Sequence, residues 1–251
     1  MIDAHVHVWD LSRRTLPWLP PDHPLRRDYT LEDSSTDVVL VQADADPADV
    51  YDLLAVENPA VVGVVGWFDL LDFPDRVPDD PRLVGVRSPP VDQTDPELLT
   101  TSAHVRGVRA AADAGLAIDL LLRPSALIGA ARLANAVPDA RLVLDHLGNP
   151  TAADARWRDA MQALAECPNV SVKLSGTAHL ATTDLRALVD IALELFGSER
   201  LLFGSDWPVC TLAGTRAEVI RRTTALLPPA THNDVFRGTA QRIYRPRETA
   251  P

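Results

Sequence analysis

The chain has 251 residues and a formal net charge of −11, with 24 basic against 35 acidic side chains. That balance argues against nucleic acid or an anionic membrane surface as the main partner, since both need basic patches; a small anionic molecule in a locally basic pocket stays open. No apolar run reaches the ~18 residues of a membrane span, no basic segment precedes an apolar one as in a signal peptide, and two cysteines, Cys167 and Cys210, make no disulfide framework, so a reducing cytoplasm is the expected compartment.

The first element is the strand in MIDAHVHVWD. Alternation puts Ile2, Ala4, Val6 and Val8 on one face and Asp3, His5, His7 and Trp9 on the other. A strand with two imidazoles on one face is either half-solvated or lines a polar site. The proline-rich TLPWLPP follows, where Trp18 reads as a lid or as a hydrophobic plug. The next strands are VVLVQ (38–42), ending in Gln42, and VVGVVGWF (61–68), ending near Trp67 and Asp69. Region 69–82 has three prolines and little periodicity, which predicts an abbreviated third helix. LVGVR (83–87) ends in Arg87, and LAIDLLL (116–122) runs into Arg123. RLVLDH (141–146) ends in Asp145 and His146, and LLFGSD (201–206) ends in Asp206 and Trp207. VSVKLSG (170–176) carries Lys173, the single lysine among the basic residues. Its alternation with Val170, Val172 and Leu174 points Lys173 inward with Ser171 and Ser175. Helical spacing covers 96–114, 125–136, 153–166, 184–196 and 215–227.

Eight apolar runs alternating with helices predict parallel βαβ units, and that number in a chain of this length predicts one domain, an α/β fold of the (β/α)8 TIM-barrel type. An open doubly wound sheet usually carries a glycine-rich turn after its first strand; here that strand runs into HVHVWDLSRR. Barrel sites sit at the C-terminal strand ends. There His5, His7, Gln42, Trp67, Arg87, Arg123, His146, Lys173 and Asp206 gather, and such a polar cluster needs mutual pairing or a ligand. His23, His104 and His232 lie outside strand ends and read as solvated. His179, in the strand-7 loop, is within reach of the site, and Cys210 reads as a buried structural thiol.

The segments MIDAHVHVWD, VVGWFDL, LVGVRS, DLLLRP, LVLDHLGNP, PNVSVKLSG and RLLFGSDWPV, in this order, resemble the amidohydrolase-related lactonase family, which includes L-fuconolactonase and L-rhamnonolactonase types. The resemblance covers nearly the whole chain. It implies a distorted (β/α)8 barrel that hydrolyses sugar-acid lactones. By motif, His5 and His7 match the strand-1 pair, His146 the strand-6 histidine and Asp206 the strand-8 aspartate. Arg87, Arg123 and Lys173 match basic positions. Three features depart from the family: Ser88 follows Arg87 where histidine is usual, the strand-7 loop is short, and the tail reads GTAQRIY where an Asn-Ala pair is usual.

Lactone hydrolysis needs a held water, a base and a stabilised oxyanion. Asp206 is the expected base. His146, His5 and His7 are expected to hold the carbonyl oxygen or a divalent cation. Arg87, Arg123, Lys173, Gln42 and Trp67 are the expected substrate contacts. Three histidines and an aspartate suit zinc or manganese, but strands 4 and 5 end in Arg87, Ser88 and Arg123 and offer no bridging ligand. The expectation is therefore no required metal, or at most one ion held by His5, His7, His146 and Asp206. A metal-dependent amidohydrolase or decarboxylase on the same barrel, and a silent barrel that binds sugar acids, are the competing readings. The identity of the sugar and the oligomeric state are not legible.

Overall fold

The computed structural model describes residues 1–31, 36–88, 95–180 and 182–247. Its strands are β1 (Ile2–Val6), β2 (Asp37–Val41), β3 (Val61–Trp67), β4 (Leu83–Arg87), β5 (Ala117–Leu120), β6 (Leu142–Leu144), β7 (Val170–Leu174) and β8 (Leu201–Phe203). They form one sheet in sequence order, each parallel to the next. The sheet closes just past β8: Asp206 N–H donates to the His5 carbonyl at 2.9 Å, and His7 N–H donates to the Trp207 carbonyl at 2.7 Å. The result is a (β/α)8 TIM barrel.

Alternation sorts the strands into two layers. Leu40, Val64, Val86, Ile118, Val172 and Phe203 face outward into the main core. Helices α2 (Ser102–Asp113), α3 (Leu127–Ala136), α4 (Ala155–Ala165), α5 (Thr182–Phe196) and α6 (Arg216–Leu226) supply its outer wall. Val39, Val41, Val65, Val84, Val143 and Leu202 pack inside the barrel, where Ala240 of α7 (Thr239–Ile243) and Tyr244 complete the floor. Helix starts follow capping chemistry: Asp154 accepts from Trp157 N–H, and Thr215 and Glu218 form a reciprocal capping box.

The structure corrects four expectations. The abbreviated third helix is absent: β3 and β4 are joined by turns through 69–82, where Pro74, Pro78 and Pro81 remove donors a helix needs. Strand β1 is not a simple alternation. Its register with β2 shifts between Asp3 and Val6. Ile2 and Ala4 therefore join the floor. Asp3 turns to Arg216 of α6, whose Nε donates to Oδ2 at 2.9 Å, while His5 and His7 still face the site. His104 is not solvated. It lies buried in α2 with its Nε2 unpartnered, and burial lowers its pKa to about 4. His23 and His232 are half-buried with hydrogen-bond partners on Leu25 and Leu227. His179 is exposed, and Cys210 is buried.

The proline-rich segment is a plug at the rim. Trp9, Leu16, Leu19, Leu25 and Tyr29 make a small separate core reaching Trp207, and Trp18 stands edge-on to Trp9 with its indole N–H on the Ala43 carbonyl at 3.1 Å.

Helix α1 (Asp49–Leu54) is short and starts in an acidic cluster. Arg14 spans it, 3.5 Å from Asp49, 2.7 Å from Asp52 and 3.2 Å from Asp46. Burial, then repulsion from Asp44, raises the Asp49 pKa to about 7 despite Arg14. The folded chain thus binds a proton at Asp49 that the unfolded chain releases near pH 4, so stability falls as pH rises between about 4 and 7. Asp49→Asn is expected to raise stability by ~2 kcal/mol at pH 8 and to do little at pH 4. Urea midpoints at both pH values check this, and equal shifts would remove the explanation.

Candidate active site

Asp206 sits in the turn after β8, with its backbone in the left-handed region at φ 59°. Few residues tolerate that conformation, and aspartate is one of them. The turn is pinned on both sides. Ser205 N–H donates to Asp3 Oδ1 at 2.7 Å, and Asp206 N–H is held by His5 as described above. His146 follows β6 in the same unusual backbone region, φ 55°, with Leu147 at 56°. Two glycines admit the histidine rings. A Cβ on Gly176 (φ +63°) would lie 2.7 Å from the His146 ring, and one on Gly204 would lie 2.5 Å from the His5 Cβ.

Side chains from β1, β6 and β8 meet at this end. The His5 ring lies 4.9 Å from that of His7 and 4.6 Å from that of His146, centroid to centroid. Asp206 Oδ1 is 3.4 Å from His7 Nε2 and 3.8 Å from His5 Nε2. His7 Nδ1 lies 2.6 Å from the Val41 carbonyl. A carbonyl only accepts, so Nδ1 carries the proton and Nε2 is a bare lone pair. That lone pair and the Asp206 carboxylate are two acceptors side by side, an arrangement that needs a shared donor such as a water, or a cation. His146 Nδ1 pairs with Ser175 Oγ at 2.8 Å, and His5 Nε2 is buried without a hydrogen-bond partner among the described residues.

Beneath the histidines lies a buried charged column. Lys173 Nζ is 2.5 Å from Asp119 Oδ2, 3.0 Å from Asp145 Oδ1 and 3.2 Å from His5 Nδ1. Tyr244 O–H donates to Asp119 Oδ1 at 2.7 Å. Arg87 Nε lies 3.4 Å from Asp145 Oδ2, and its Nη1 donates to the Gln42 carbonyl at 2.9 Å. Three acceptor atoms crowd one point, hydrogen-bonded to Lys173 at Asp119 and His5 and ion-paired with it at Asp145, which a compact ammonium fits and a planar guanidinium does not. This accounts for a lysine in a chain that elsewhere uses arginine.

The electrostatics follow from burial and pairing. Burial, reinforced by Lys173, holds the His5 pKa well below the usual imidazole range, and burial lowers that of His146. For Asp206, burial favours the neutral acid, but attraction to the surrounding imidazoles, His146 first, outweighs it and holds the carboxyl well below its usual range. Asp145 is likewise held low, because Lys173 and His5 overcome burial. Asp119 goes the other way, raised by burial to about 6.

The sequence-expected residues divide accordingly. His5, His7, His146 and Asp206 come together, and Lys173 adjoins them from below. Lys173 is fully buried, with three protein partners. Gln42 is engaged on both sides as well. It is fully buried, its Nε2 donating to the Asp46 carbonyl at 2.6 Å and its Oε1 accepting from Trp67 N–H at 2.7 Å. Trp67 is half-buried with its indole N–H unpartnered among the described residues, and Arg123 is exposed past the end of β5. Asp119, Asp145 and Tyr244 were given no role from sequence. The legible signal was an acid inside the apolar run LAIDLLL, which demands a countercharge, in a chain with one strand lysine to supply it.

Among the described residues, two groups of ligand atoms are close enough to hold an ion: His5, His7 and Asp206, and His5, Asp145 and His146. Asp145 is already engaged by Lys173 and Arg87, so the first group fits better. The bare His7 Nε2 beside an ionised Asp206 fits one divalent cation by donor type.

The chain resembles known proteins along most of its length. The chain is 33% identical to an L-fucono-1,5-lactonase of Burkholderia multivorans, covering 99% of this chain and 97% of that protein. It is 32% identical to an L-fucono-1,5-lactonase of Burkholderia ambifaria, covering 85% and 82%. A crystal structure of an amidohydrolase from Burkholderia multivorans with bound zinc superposes with a TM-score of 0.85 at 30% identity, covering 97% of this chain and 98% of that one. The amidohydrolase family profile matches residues 2–245, so it takes in the whole barrel from the His5–His7 strand to the Tyr244 floor: the chain belongs to the amidohydrolase family.

Proposed function

We propose that this chain is a hydrolase that opens a sugar-acid lactone by attack of water on the ring ester carbonyl. The observation that carries this reading is the pairing of an ionised Asp206 with the bare Nε2 of His7, two acceptors that together hold and orient one water. Asp206 takes a proton as the water oxygen bonds to the carbonyl carbon. His5 and His146 face the oxygen on which negative charge develops. When the ring C–O bond breaks, the proton on Asp206 passes to the departing alkoxide, and the carboxylate is restored. Arg87 and Arg123 supply positive charge at the rim for the substrate's oxygens, with the Trp67 indole N–H as a further donor. Lys173 and Gln42 support the wall and touch no substrate.

A pH-indicator screen of aldonolactones, run with and without chelator, tests the reading. Turnover of at least one aldonolactone is expected. Binding of lactones or sugar acids without turnover would favour a silent binding barrel instead, and turnover of amides or aromatic acids alone would favour the amidohydrolase or decarboxylase reading.

His7, Asp206 and His146 would hold a divalent cation, zinc or manganese by donor type, and His5 would join them only with its Nε2 unprotonated; when bound, the cation supplies Lewis-acid polarisation of the carbonyl. At most one ion is expected, because Arg87, Ser88 and Arg123 stand where a second ion would need ligands. Elemental analysis finding two tightly held ions per chain would overturn this. The barrel acts as one domain on a small molecule in the cytoplasm. Among the described residues no helix is long and apolar enough to cross a membrane.

A further inference from the structure

His5 and His7 are two residues apart and face the same carboxylate, yet their other ring nitrogens meet opposite chemistry. His7 Nδ1 faces the Val41 carbonyl at 2.6 Å, an acceptor. His5 Nδ1 faces the Lys173 ammonium at 3.2 Å, a donor. An ammonium has three N–H groups and no lone pair. A proton on His5 Nδ1 would therefore point at another N–H in a fully buried site, a costly clash of donors. The contact is satisfied only when His5 Nδ1 is bare, and a neutral imidazole with a bare Nδ1 carries its proton on Nε2.

We infer that Lys173 fixes His5 as the Nε2–H tautomer, so that the histidine pair presents one donor and one acceptor to the site. His5 Nε2–H is then a hydrogen-bond donor and is withheld as a metal ligand, while His7 Nε2 remains the lone pair for water or cation. The donor lies 3.8 Å from Asp206, beyond hydrogen-bond distance, and its buried nitrogen has no hydrogen-bond partner among the described residues. A donor left unsatisfied at a strand end is suited to an oxygen brought by a ligand. In terms of the proposed reaction, on which this role rests, that oxygen is the developing oxyanion.

The ammonium is itself held in place. Asp119 accepts from Lys173 on one oxygen and from Tyr244 O–H on the other, and Tyr244 closes the barrel floor with Ala240. Asp145 is the competing partner for His5: its Oδ1 lies 3.4 Å from His5 Nδ1 and 3.0 Å from Lys173 Nζ. Without the lysine, His5 Nδ1–H donates to Asp145 and Nε2 becomes a lone pair. Lys173 is thus a positioning residue, and its presence disfavours a full His5–His7–Asp206 metal site.

The test reads the tautomers directly. Protein labelled with 15N at histidine is stripped with chelator, and long-range 1H–15N spectra are recorded at neutral pH. Signals are assigned by their loss in His5→Gln and His7→Gln. A protonated Nε2 on His5 and a protonated Nδ1 on His7 are expected; a protonated Nδ1 on His5 would overturn the inference. In Lys173→Met, His5 is expected to switch tautomer and zinc to bind at least ~10-fold more tightly, the scale on which groups behind a ligand tune a metal site. Unchanged tautomer or affinity in folded Lys173→Met would also overturn it. Should that variant not fold, the wild-type spectrum decides alone. Neither readout uses lactone turnover. Expected tautomers in a protein that opens no lactone would sink the proposed reaction and leave the assignment standing.

Discussion

Asp206→Asn is expected to lower lactone turnover by about 10²–10⁴, the usual loss when a general base is removed, and to leave the melting temperature nearly unchanged. The structural half of this expectation follows from the backbone. Asp206 has φ 59°, and asparagine is among the residues most at ease there. Its amide keeps the shape of the carboxylate, and its NH2 can donate to the bare His7 Nε2. What asparagine lacks is a site that accepts a proton at neutral pH. Turnover and melting temperature should be measured on the same preparation. If more than about a tenth of the wild-type rate survives, less than the loss a base should cause, Asp206 is not the base. His146 is then the next candidate, since an imidazole can serve in that part.

The largest expected effect on stability is at Lys173. Lys173→Met removes the cation between two fully buried carboxylates, Asp119 and Asp145. Removing one partner of a buried ion pair costs about 3–5 kcal/mol, because the other charge stays behind unpaired. Replacing the whole group by apolar side chains of similar size avoids that penalty. Lys173→Met combined with Asp119→Leu and Tyr244→Phe is therefore expected to recover much of the loss, with Asp145 still facing Arg87. Urea titrations of the two variants check both halves. A loss below ~1 kcal/mol for Lys173→Met, the scale of an exposed pair, would mean that the column is not dry.

The upper layer of this site was legible because its residues sit where periodicity ends. His5, His7, His146 and Asp206 each follow or finish an apolar run, and barrel topology brings run ends together whatever lies between them. The lower layer was harder to see. Asp119 stands inside a run, so it reads as a blemish in LAIDLLL until Lys173 is placed across the barrel from it. Tyr244 lies outside every strand and reaches the interior only because the tail folds across the floor. The shift in β1 was illegible for a related reason. Strict alternation puts Asp3 beside His5, and the partners that hold Asp3 away from the site, Ser205 N–H and Arg216, lie more than two hundred residues later. Local pattern carries no such information. His104 shows the same limit: a polar residue on a helix reads as solvated until its neighbours are known.

The closure of the sheet between β1 and the turn after β8 has a consequence for synthesis. The chain is made from the N-terminus, and His5 must find a partner, Asp206, roughly 200 residues behind it. At ~5–20 residues per second, that separation is a delay of about 10–40 s. Through that interval β1 has no neighbour on one side, and its unpaired amides and carbonyls are open to pairing with another chain. Asp3 and the two histidines keep this strand polar while it waits. Tyr244 is made later still, so the charges around Lys173 stay open to water until that residue has folded across the floor and sealed them in.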